Sequence, residues 1–293
     1  MQSTREIKRR INSVESTKQI TRAMEMVAAA KLRKVQERVE NARPFESAMR
    51  KSVLRVLNQV YGATHPFIES QESGDPAYLI IASDRGLCAG YNVNVIRKAN
   101  EDMAENNVES PRIIAVGRRS RDFYQKRDYE VVLEYLEMED NPYLEDAKRI
   151  AEPIKQMYAD GTISSLTLVY NEFKNPMVQI PRVTKILPMD EGTIATEDDT
   201  EEELDIEGQL YAFEPSLEVI LGEFLEKYFE NLIFKALLEG KTSEHGARMT
   251  AMGNATENAN EMIDDLTLTF NRARQASITQ ELLEIVNAAE ALE

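Results

Sequence analysis

The stretch Gly246-Ala-Arg-Met-Thr-Ala-Met-Gly-Asn-Ala-Thr-Glu-Asn-Ala-Asn-Glu-Met-Ile-Asp-Asp-Leu266 decides the fold of this 293-residue chain. It lies in a proline-free run, residues 216–293, which as one helix would be roughly 115 Å long. Apolar residues recur at spacings of three and four, which predicts one narrow seam: Met252, Ala255, Ala259, Met262, Leu266, Phe270 and Ala273. After a small phase shift the alternation continues through Ile278, Leu282, Ile285, Ala289 and Leu292. A seam of this length needs a second long element to cover it.

The N-terminal segment provides that second element. Residues 1–62 have the same helical periodicity, with apolar triplets at Ile7, Ile11, Val14, then Ile20, Met24, Val27, then Val35, Val39, Ala42, and later Val53, Val56 and Val60. The middle triplet is one residue out of step. We expect Pro44 to kink this helix and Gly62 to end it, after a length of roughly 80 Å. The simplest way to bury both seams is an antiparallel two-stranded coiled coil of the two ends.

The middle of the chain alternates between strand and helix patterns. We expect strands near residues 77–82, 112–116, 129–133, 165–170 and 178–187, with 165–170 pairing antiparallel at a sheet edge. Helical patterns lie between them. This alternation predicts a doubly wound, Rossmann-like α/β domain within residues 75–213, with residues 214–293 as the C-terminal helix. Its late segment, 190–208, includes eight acids in the eleven positions 197–207, a composition typical of a mobile loop.

Charge is distributed unevenly along the chain. Residues 1–60 contain 14 Lys and Arg against 6 Glu, a net charge of +8. Since the whole chain has a net charge of −16, the remaining residues carry −24. A basic segment can meet nucleic acid, anionic lipid or an acidic protein surface, or can be a solvated helix face. Nucleic acid is disfavoured, since the cations are interleaved with Glu and no aromatic residue precedes Phe45.

Composition excludes several other classes. No segment approaches 18 consecutive apolar residues, so no direct membrane span is expected, and residues 1–10 lack the apolar core of a signal peptide. One cysteine, Cys88, cannot form an intrachain disulfide, and two histidines do not provide a zinc spacing. We therefore expect no metal, no cofactor and a location on the cytosolic side.

The phosphate-binding patterns of α/β enzymes are incomplete. Gly240-Lys241-Thr242 resembles the end of a P-loop, but Lys235 stands where its first glycine is needed, and the segment follows a helical pattern. Asp84 and Arg85 follow the first strand without a nearby histidine, so a structural ion pair is favoured over acid–base chemistry. Cys88 is best explained as buried filler. No catalytic residues are expected in this chain.

Four stretches resemble one family closely. Ile20-Thr-Arg-Ala-Met-Glu-Met-Val-Ala-Ala-Ala-Lys-Leu-Arg33 and Ser83-Asp-Arg-Gly-Leu-Cys88 are similar to signatures of the gamma subunit of F-type rotary ATP synthases. So are Ala247-Arg-Met-Thr-Ala-Met252, with Asn254-Ala-Thr256, and Arg272-Ala-Arg-Gln-Ala-Ser-Ile-Thr-Gln-Glu-Leu282. They occur in the family's order and span the chain. Ala89-Gly90-Tyr91 departs from the family's usual Gly-Gly-Leu.

The resemblance implies a central rotor shaft that couples ion flow, by protons or sodium, through a membrane c ring to conformational change in catalytic beta subunits. The implied partners are three alpha and three beta subunits, the epsilon subunit and the c ring, on the cytoplasmic face of a bacterial plasma membrane. It implies that the beta ring is touched by Met24, Arg274, Gln275, Thr279, Glu281 and Glu284. Tyr211 and Phe213, beside Glu214-Pro215, are the implied contacts to epsilon and the c ring. A packing role in the seam is the alternative for Met24.

Two other functions fit the same sequence patterns. One is a stand-alone α/β nucleotide-binding enzyme with coiled-coil arms, and the other is a basic coiled-coil adaptor for anionic surfaces. Nucleotide binding with turnover would favour the enzyme, whereas salt-sensitive association with lipid or DNA would favour the adaptor.

Overall fold

Two long helices occupy the two ends of the described chain. Helix α1 spans Thr4–Gln59 and helix α5 spans Leu217–Glu290, 56 and 74 residues respectively, or about 84 Å and 111 Å. α1 continues through Pro44 as one helix, and the kink expected at that residue stays a prediction. The computed structural model describes residues 4–59, 65–71, 73–189, 194 and 217–290.

A five-stranded sheet lies between these helices in sequence. Its elements are β1 Asp75–Ile81, α2 Tyr91–Glu105, β2 Arg112–Val116, α3 Arg118–Gln125, β3 Val131–Tyr135, α4 Leu144–Ala159, β4 Ile163–Asn175 and β5 Val178–Leu187. The strand order is β3-β2-β1-β4-β5, with β1 parallel to β2 and β4, β2 parallel to β3, and β5 antiparallel to β4. The predicted doubly wound α/β fold is confirmed. The antiparallel pair was also predicted, but β5 takes the edge and β4 lies inside the sheet.

Local interactions explain where two of the short helices begin. Gly117, with φ of 89°, ends β2, and a Cβ there would lie 2.2 Å from the carbonyl oxygen of Ala82, so only glycine fits. The Asp84 carboxylate then accepts a hydrogen bond from the Arg118 backbone N–H at 3.0 Å, satisfying the first donor of α3. At α4, Asp146 accepts from the Tyr143 N–H at 2.9 Å.

The sheet buries a different core on each face. On one face, α2 and α3 cover residues that include Tyr78, Ile80 and Ile113. On the other face, α4 and the adjoining parts of α1 and α5 cover a larger cluster, whose members include Leu79, Ile114, Ile154, Leu54 and Phe229. Because neighbouring residues of a strand point to opposite faces, the continuous apolar run Tyr78–Ile81 serves both cores.

The chain divides into two compact units. One comprises Met1–Ala28 with Arg248–Glu293, and the other is Ala29–Ala247. The domain bounds expected from sequence, 1–62, 75–213 and 214–293, stay a prediction. The acidic loop at 190–208 lies outside the described residues apart from Ile194.

The buried stripe on the first part of α1 differs from the predicted seam. Ile20 and Val27 are more than half exposed, while Thr21 and Ala28 are buried in their place. One series of buried or half-buried positions alternates regularly by four and three, with Met24 half-buried beside it: Ile7, Ile11, Val14, Lys18, Thr21, Glu25 and Ala28. The apparent slip of the middle triplet was therefore wrong, because polar and small residues occupy seam positions that an apolar template passes over.

The C-terminal helix shows the same one-residue error. Met262 is more than half exposed, and Thr256 and Ile263 hold the positions assigned to Ala255 and Met262. The observed stripe is Met252, Thr256, Ala259, Ile263, Leu266, Phe270 and Ala273. Five of the seven predicted positions on this helix lie on it.

Candidate partner interface

The N-terminal part of α1 pairs with α5 in antiparallel fashion. The hydroxyl of Thr256 lies 2.8 Å from that of Thr21. A Cβ on Gly253 would lie 3.4 Å from the Glu25 carboxylate. A later residue on α1 thus meets an earlier residue on α5, as antiparallel pairing requires. The antiparallel coiled coil predicted from the two seams is therefore present in this unit.

Helix α5 extends beyond the N-terminal end of its partner helix α1. The seventeen residues before Thr21 on α1 correspond to seventeen after Thr256 on α5, which brings Thr4 level with about Ala273. Every residue from 274 to 287 is exposed. Among the described residues, nothing covers this end of α5.

Large apolar side chains crowd the uncovered end. Ile278, Leu282, Leu283, Ile285 and Val286 are 49–65% exposed. The sequence placed Ile278, Leu282 and Ile285 in a seam, and that seam has no intrachain cover in the described structure. Exposed apolar clusters of this kind mark surfaces that another molecule covers. The sequence reasoning missed Leu283 and Val286, because they fall outside a seam template although they widen the stripe on the same helix.

The polar residues implied on this helix lie among those apolar ones. Helical spacing places Gln275 and Thr279 on the face of Leu282, and Arg274 and Glu281 on the face of Ile278. All of the implied contacts on α5 are exposed: Arg274, Gln275, Thr279, Glu281 and Glu284. Three of their side chains form local hydrogen bonds: Thr279 Oγ1 donates to the Gln275 carbonyl at 2.9 Å, Glu281 accepts from Ser277 Oγ at 3.4 Å, and Glu284 accepts from Gln280 Nε2 at 3.1 Å. They are available to a partner.

Met24 lies at the margin of the paired stripe on α1. It is half-buried, and its helical neighbours Ile20 and Val27 are exposed, as is Met26. Both the packing role and the partner role for Met24 remain compatible with this position. Ile20 and Val27 were missed as surface residues because their apolar character favoured the seam. Tyr211 and Phe213 lie outside the described residues.

The carboxyl ends of the parallel strands form the other expected site in an α/β domain, since ligands of such sheets bind in the crevice there. Helix α5 occupies this place. Tyr91 Oη donates to the Gly240 carbonyl at 2.9 Å, and Ser243 Oγ donates to the Asn171 carbonyl at 2.9 Å. The cavity left beside Ile81 and Lys241 has a volume of about 10 Å³. That volume is far below what a nucleotide requires.

The residues that the sequence offered as candidates for catalysis or phosphate binding have structural roles. Gly240-Lys241-Thr242 lies inside α5, where the Thr242 hydroxyl donates to the Leu238 carbonyl at 2.7 Å, so it is not a phosphate loop. Cys88 is buried, as predicted. Asp84 binds the start of α3, as described above, a structural role of a different kind from the ion pair expected with Arg85.

Ion pairs hold the long helices against the α/β domain. The Lys155 ammonium of α4 lies 3.1 Å from Glu226 and 3.3 Å from Glu230 of α5. Burial opposes the charge of Lys155, but hydrogen bonds to Glu152 and Glu226 raise its pKa. Lys31 of α1 lies 2.6 Å from Asp140, which precedes α4. Burial acts to raise the pKa of Asp140, but the hydrogen bond and charge of Lys31, together with the charges of His245 and Lys241, outweigh burial and lower the pKa.

The described residues contain neither a membrane-spanning helix nor a metal-binding cluster. None of the helices there combines the length and the apolar character that a bilayer crossing requires. In the same ranges, no group of three or more His, Cys, Asp or Glu side chains is arranged to hold a metal ion.

Comparison with known proteins agrees with the geometry. A family model described as ATP synthase matches residues 3–292. The chain is 46% identical over 293 residues to the ATP synthase gamma chain of Pelotomaculum thermopropionicum, covering all of both chains, and 42% identical to that of Brevibacillus brevis, covering 98% of each.

Solved structures of central stalks have similar folds. One chain of the central stalk and c ring of the Tetrahymena thermophila mitochondrial ATP synthase matches with a TM-score of 0.59 at 26% identity, covering 80% of this chain and 99% of that one. A chain of the Euglena gracilis mitochondrial ATP synthase matches with a TM-score of 0.71 at 20% identity, covering 99% and 94%. The full-length match in sequence, the paired end helices and the doubly wound sheet lead to one conclusion: the chain belongs to the ATP synthase gamma chain family.

Proposed function

We propose that this chain is the central rotor shaft of an F-type ATP synthase. The observation that carries the proposal is the uncovered end of α5, where five large apolar residues stand 49–65% exposed on a helix that has outlasted its partner. A sleeve of other subunits around residues 274–287 would bury them. The full-length similarity of this chain to bacterial gamma chains supports the same function.

The shaft would act as a rigid body that transmits free energy between two sites. Torque applied to the α/β domain passes into α1 and α5 through the ion pairs of Lys155 and Lys31 and through the shared apolar core. Because the two helices differ in sequence, the shaft presents different faces to three identical neighbours. Each neighbour is then driven through its conformational states in turn.

The partners follow from this role. We infer that three alpha and three beta subunits surround the α5 end, with Met24, Arg274, Gln275, Thr279, Glu281 and Glu284 among the contacts to beta. Epsilon and the c ring would meet the α/β domain, with Tyr211 and Phe213 on that side. The assembly would be peripheral, on the cytoplasmic face of a bacterial plasma membrane, with protons or sodium as the coupling ion.

Bond-making would belong to the other chains. The filled crevice at the carboxyl ends of the strands supports a non-catalytic subunit and weighs against a stand-alone nucleotide-binding enzyme. Calorimetric titration of the isolated chain with ATP separates the two: micromolar binding with turnover would favour the enzyme.

Reconstitution tests the rotor directly. Co-expressed with the alpha and beta subunits of a bacterial relative, the full chain should co-purify with both in threefold excess. A chain ending at residue 273 should keep its α/β fold but couple rotation to ATP synthesis more weakly, so that proton-driven synthesis falls. Unchanged synthesis with the shortened chain would refute the contacts assigned to residues 274–293.

A further inference from the structure

A buried carboxyl group lies between α1 and α5 within the unit Ala29–Ala247, away from the rotor contacts proposed above. Glu239 of α5 is 7% exposed, and its Oε2 atom has no hydrogen-bond partner among the described residues. A buried carboxylate without a partner is costly, and the usual relief is to bind a proton. The α/β fold and the family role do not explain this residue.

Asn231 lines the same cavity as Glu239. It precedes Glu239 by two helical turns, is 6% exposed, and its Nδ2 atom is also without a partner in the described structure. Both residues line a cavity of about 20 Å³, which Val39, Ala42, Arg43 and Glu46 of α1 close from the other side. Such a volume is enough for one water molecule, which needs two or more polar partners.

The charges around Glu239 are mixed. α1 contributes Arg43 and Glu46, α5 contributes Lys235, and β4 contributes Glu172 and the phenol of Tyr170. The cation with the larger effect on Glu239 is Lys235, and it is already paired, because its Nζ atom lies 3.1 Å from Glu46. Glu172 is likewise paired with Arg182 of β5 at 2.6 Å and with Lys174 at 2.6 Å. No direct ion pair to Glu239 is formed among these described groups.

We propose that Glu239 is an internal proton-binding site, bridged by one water molecule to Asn231, whose occupancy controls how firmly α1 packs on α5. The water accepts a hydrogen bond from Asn231 Nδ2 and forms a second hydrogen bond with Glu239 Oε2. With the proton bound, the pair is neutral and the apolar contacts of Val39, Phe234 and Leu238 close around it. With the proton lost, the carboxylate draws water into the helix interface and loosens it.

The electrostatics set the pH range. Burial, with Lys235 and Arg43 opposing and Glu172 and Glu46 assisting, raises the pKa of Glu239 from 4.5 to about 7. The folded state therefore holds the proton more tightly than the unfolded state. The stabilisation is complete below about pH 4.5, and it is lost as the pH rises through about 7.

Unfolding of the full chain by urea between pH 5 and pH 8 tests the site, comparing wild type with Glu239→Gln. The amide keeps the shape but cannot titrate, so the ratio of the two unfolding constants should change about 70-fold across this range, with wild type losing stability as the pH rises. Glu257→Gln, an exposed glutamate on the same helix, is the control and should leave the ratio constant. A ratio that is also constant for Glu239→Gln would overturn the proposal.

A second measurement keeps the proposal testable should Glu239→Gln not fold. Infrared difference spectra of wild type should show one protonated carboxyl group that titrates near pH 7. Lys235→Met, which removes the cation that most lowers the pKa of Glu239 and leaves Glu46 without that partner, should move that midpoint upward. Titration of every carboxyl group below pH 5.5, or an unmoved midpoint in Lys235→Met, would show that Glu239 is merely a structural residue.

Discussion

Gly240 is where α5 closes the carboxyl end of the sheet, and replacing it with alanine measures how tightly. A Cβ at this position would lie 3.0 Å from Ile81 Cγ2 and 3.4 Å from Tyr91 Oη, closer to Ile81 than a relaxed carbon contact. Gly222, on the same helix and in the same unit, is the matched control, because among the described residues its Cβ would meet only the His65 ring, at 3.4 Å.

The two substitutions share one favourable effect and differ in one unfavourable effect. Alanine in place of glycine inside a helix stabilises by about 1 kcal/mol. Overpacking at Gly240 costs about 1–3 kcal/mol, since Ile81 is buried and has little room to move. Gly222→Ala should therefore gain about 1 kcal/mol, whereas Gly240→Ala should be between neutral and about 2 kcal/mol less stable than wild type.

Urea unfolding of both variants, followed by circular dichroism, gives the comparison. The free energies of unfolding of the two variants should differ by about 1–3 kcal/mol. The gain in helix propensity from replacing glycine with alanine is common to both and cancels in this difference. Combining Gly240→Ala with Ile81→Ala should recover at least about 0.5 kcal/mol of the steric cost. Equal stabilisation by Gly222→Ala and Gly240→Ala, or no coupling in the double variant, would refute the close packing of α5 on the strand ends.

Three further outcomes are expected. Leu282→Ser should leave the stability of the isolated chain within about 0.5 kcal/mol of wild type but weaken binding to an alpha–beta ring about tenfold, whereas Gln280→Ser should change neither, as a pull-down titration would show. Lys155→Met should cost about 1–3 kcal/mol in thermal unfolding, because it leaves Glu230, whose side chain is 15% exposed, without its cation; an unchanged melting temperature would contradict that. The Cys88 thiol should react with Ellman's reagent only as fast as the chain unfolds, and immediate reaction in native buffer would show that it is accessible.

Much of the fold followed from local patterns. The two long helices were evident from apolar periodicity, from the proline-free run 216–293 and from the lack of proline and glycine before Pro44, and the strands from short apolar runs ended by turns. The bounds shifted by a few residues, as when β4 extended from the expected 165–170 to Ile163–Asn175. That extension comes from its antiparallel pairing with β5, a long-range contact that no local pattern encodes.

The candidate interface was less predictable. Residues such as Arg274 and Glu281 were named through resemblance to a family, and their contacts remain predictions. Exposure of Ile20, Val27 and Met262 escaped the sequence reasoning, because an apolar residue on a helix looks the same whether it faces a seam or a partner. Thr21 and Thr256 escaped it for the opposite reason, since two hydroxyls that satisfy each other can occupy a buried seam.

By itself, the sequence determined the elements of this protein: two long helices with apolar seams around an alternating α/β region, since helical and strand periodicities are properties of the local chain. Only the tertiary structure decided which seam positions are buried, that α5 fills the crevice at the strand ends, and that residues 274–287 are left uncovered. The physical reason is that burial depends on the register between distant segments. One residue of offset between α1 and α5 turns a side chain from the interface to the surface.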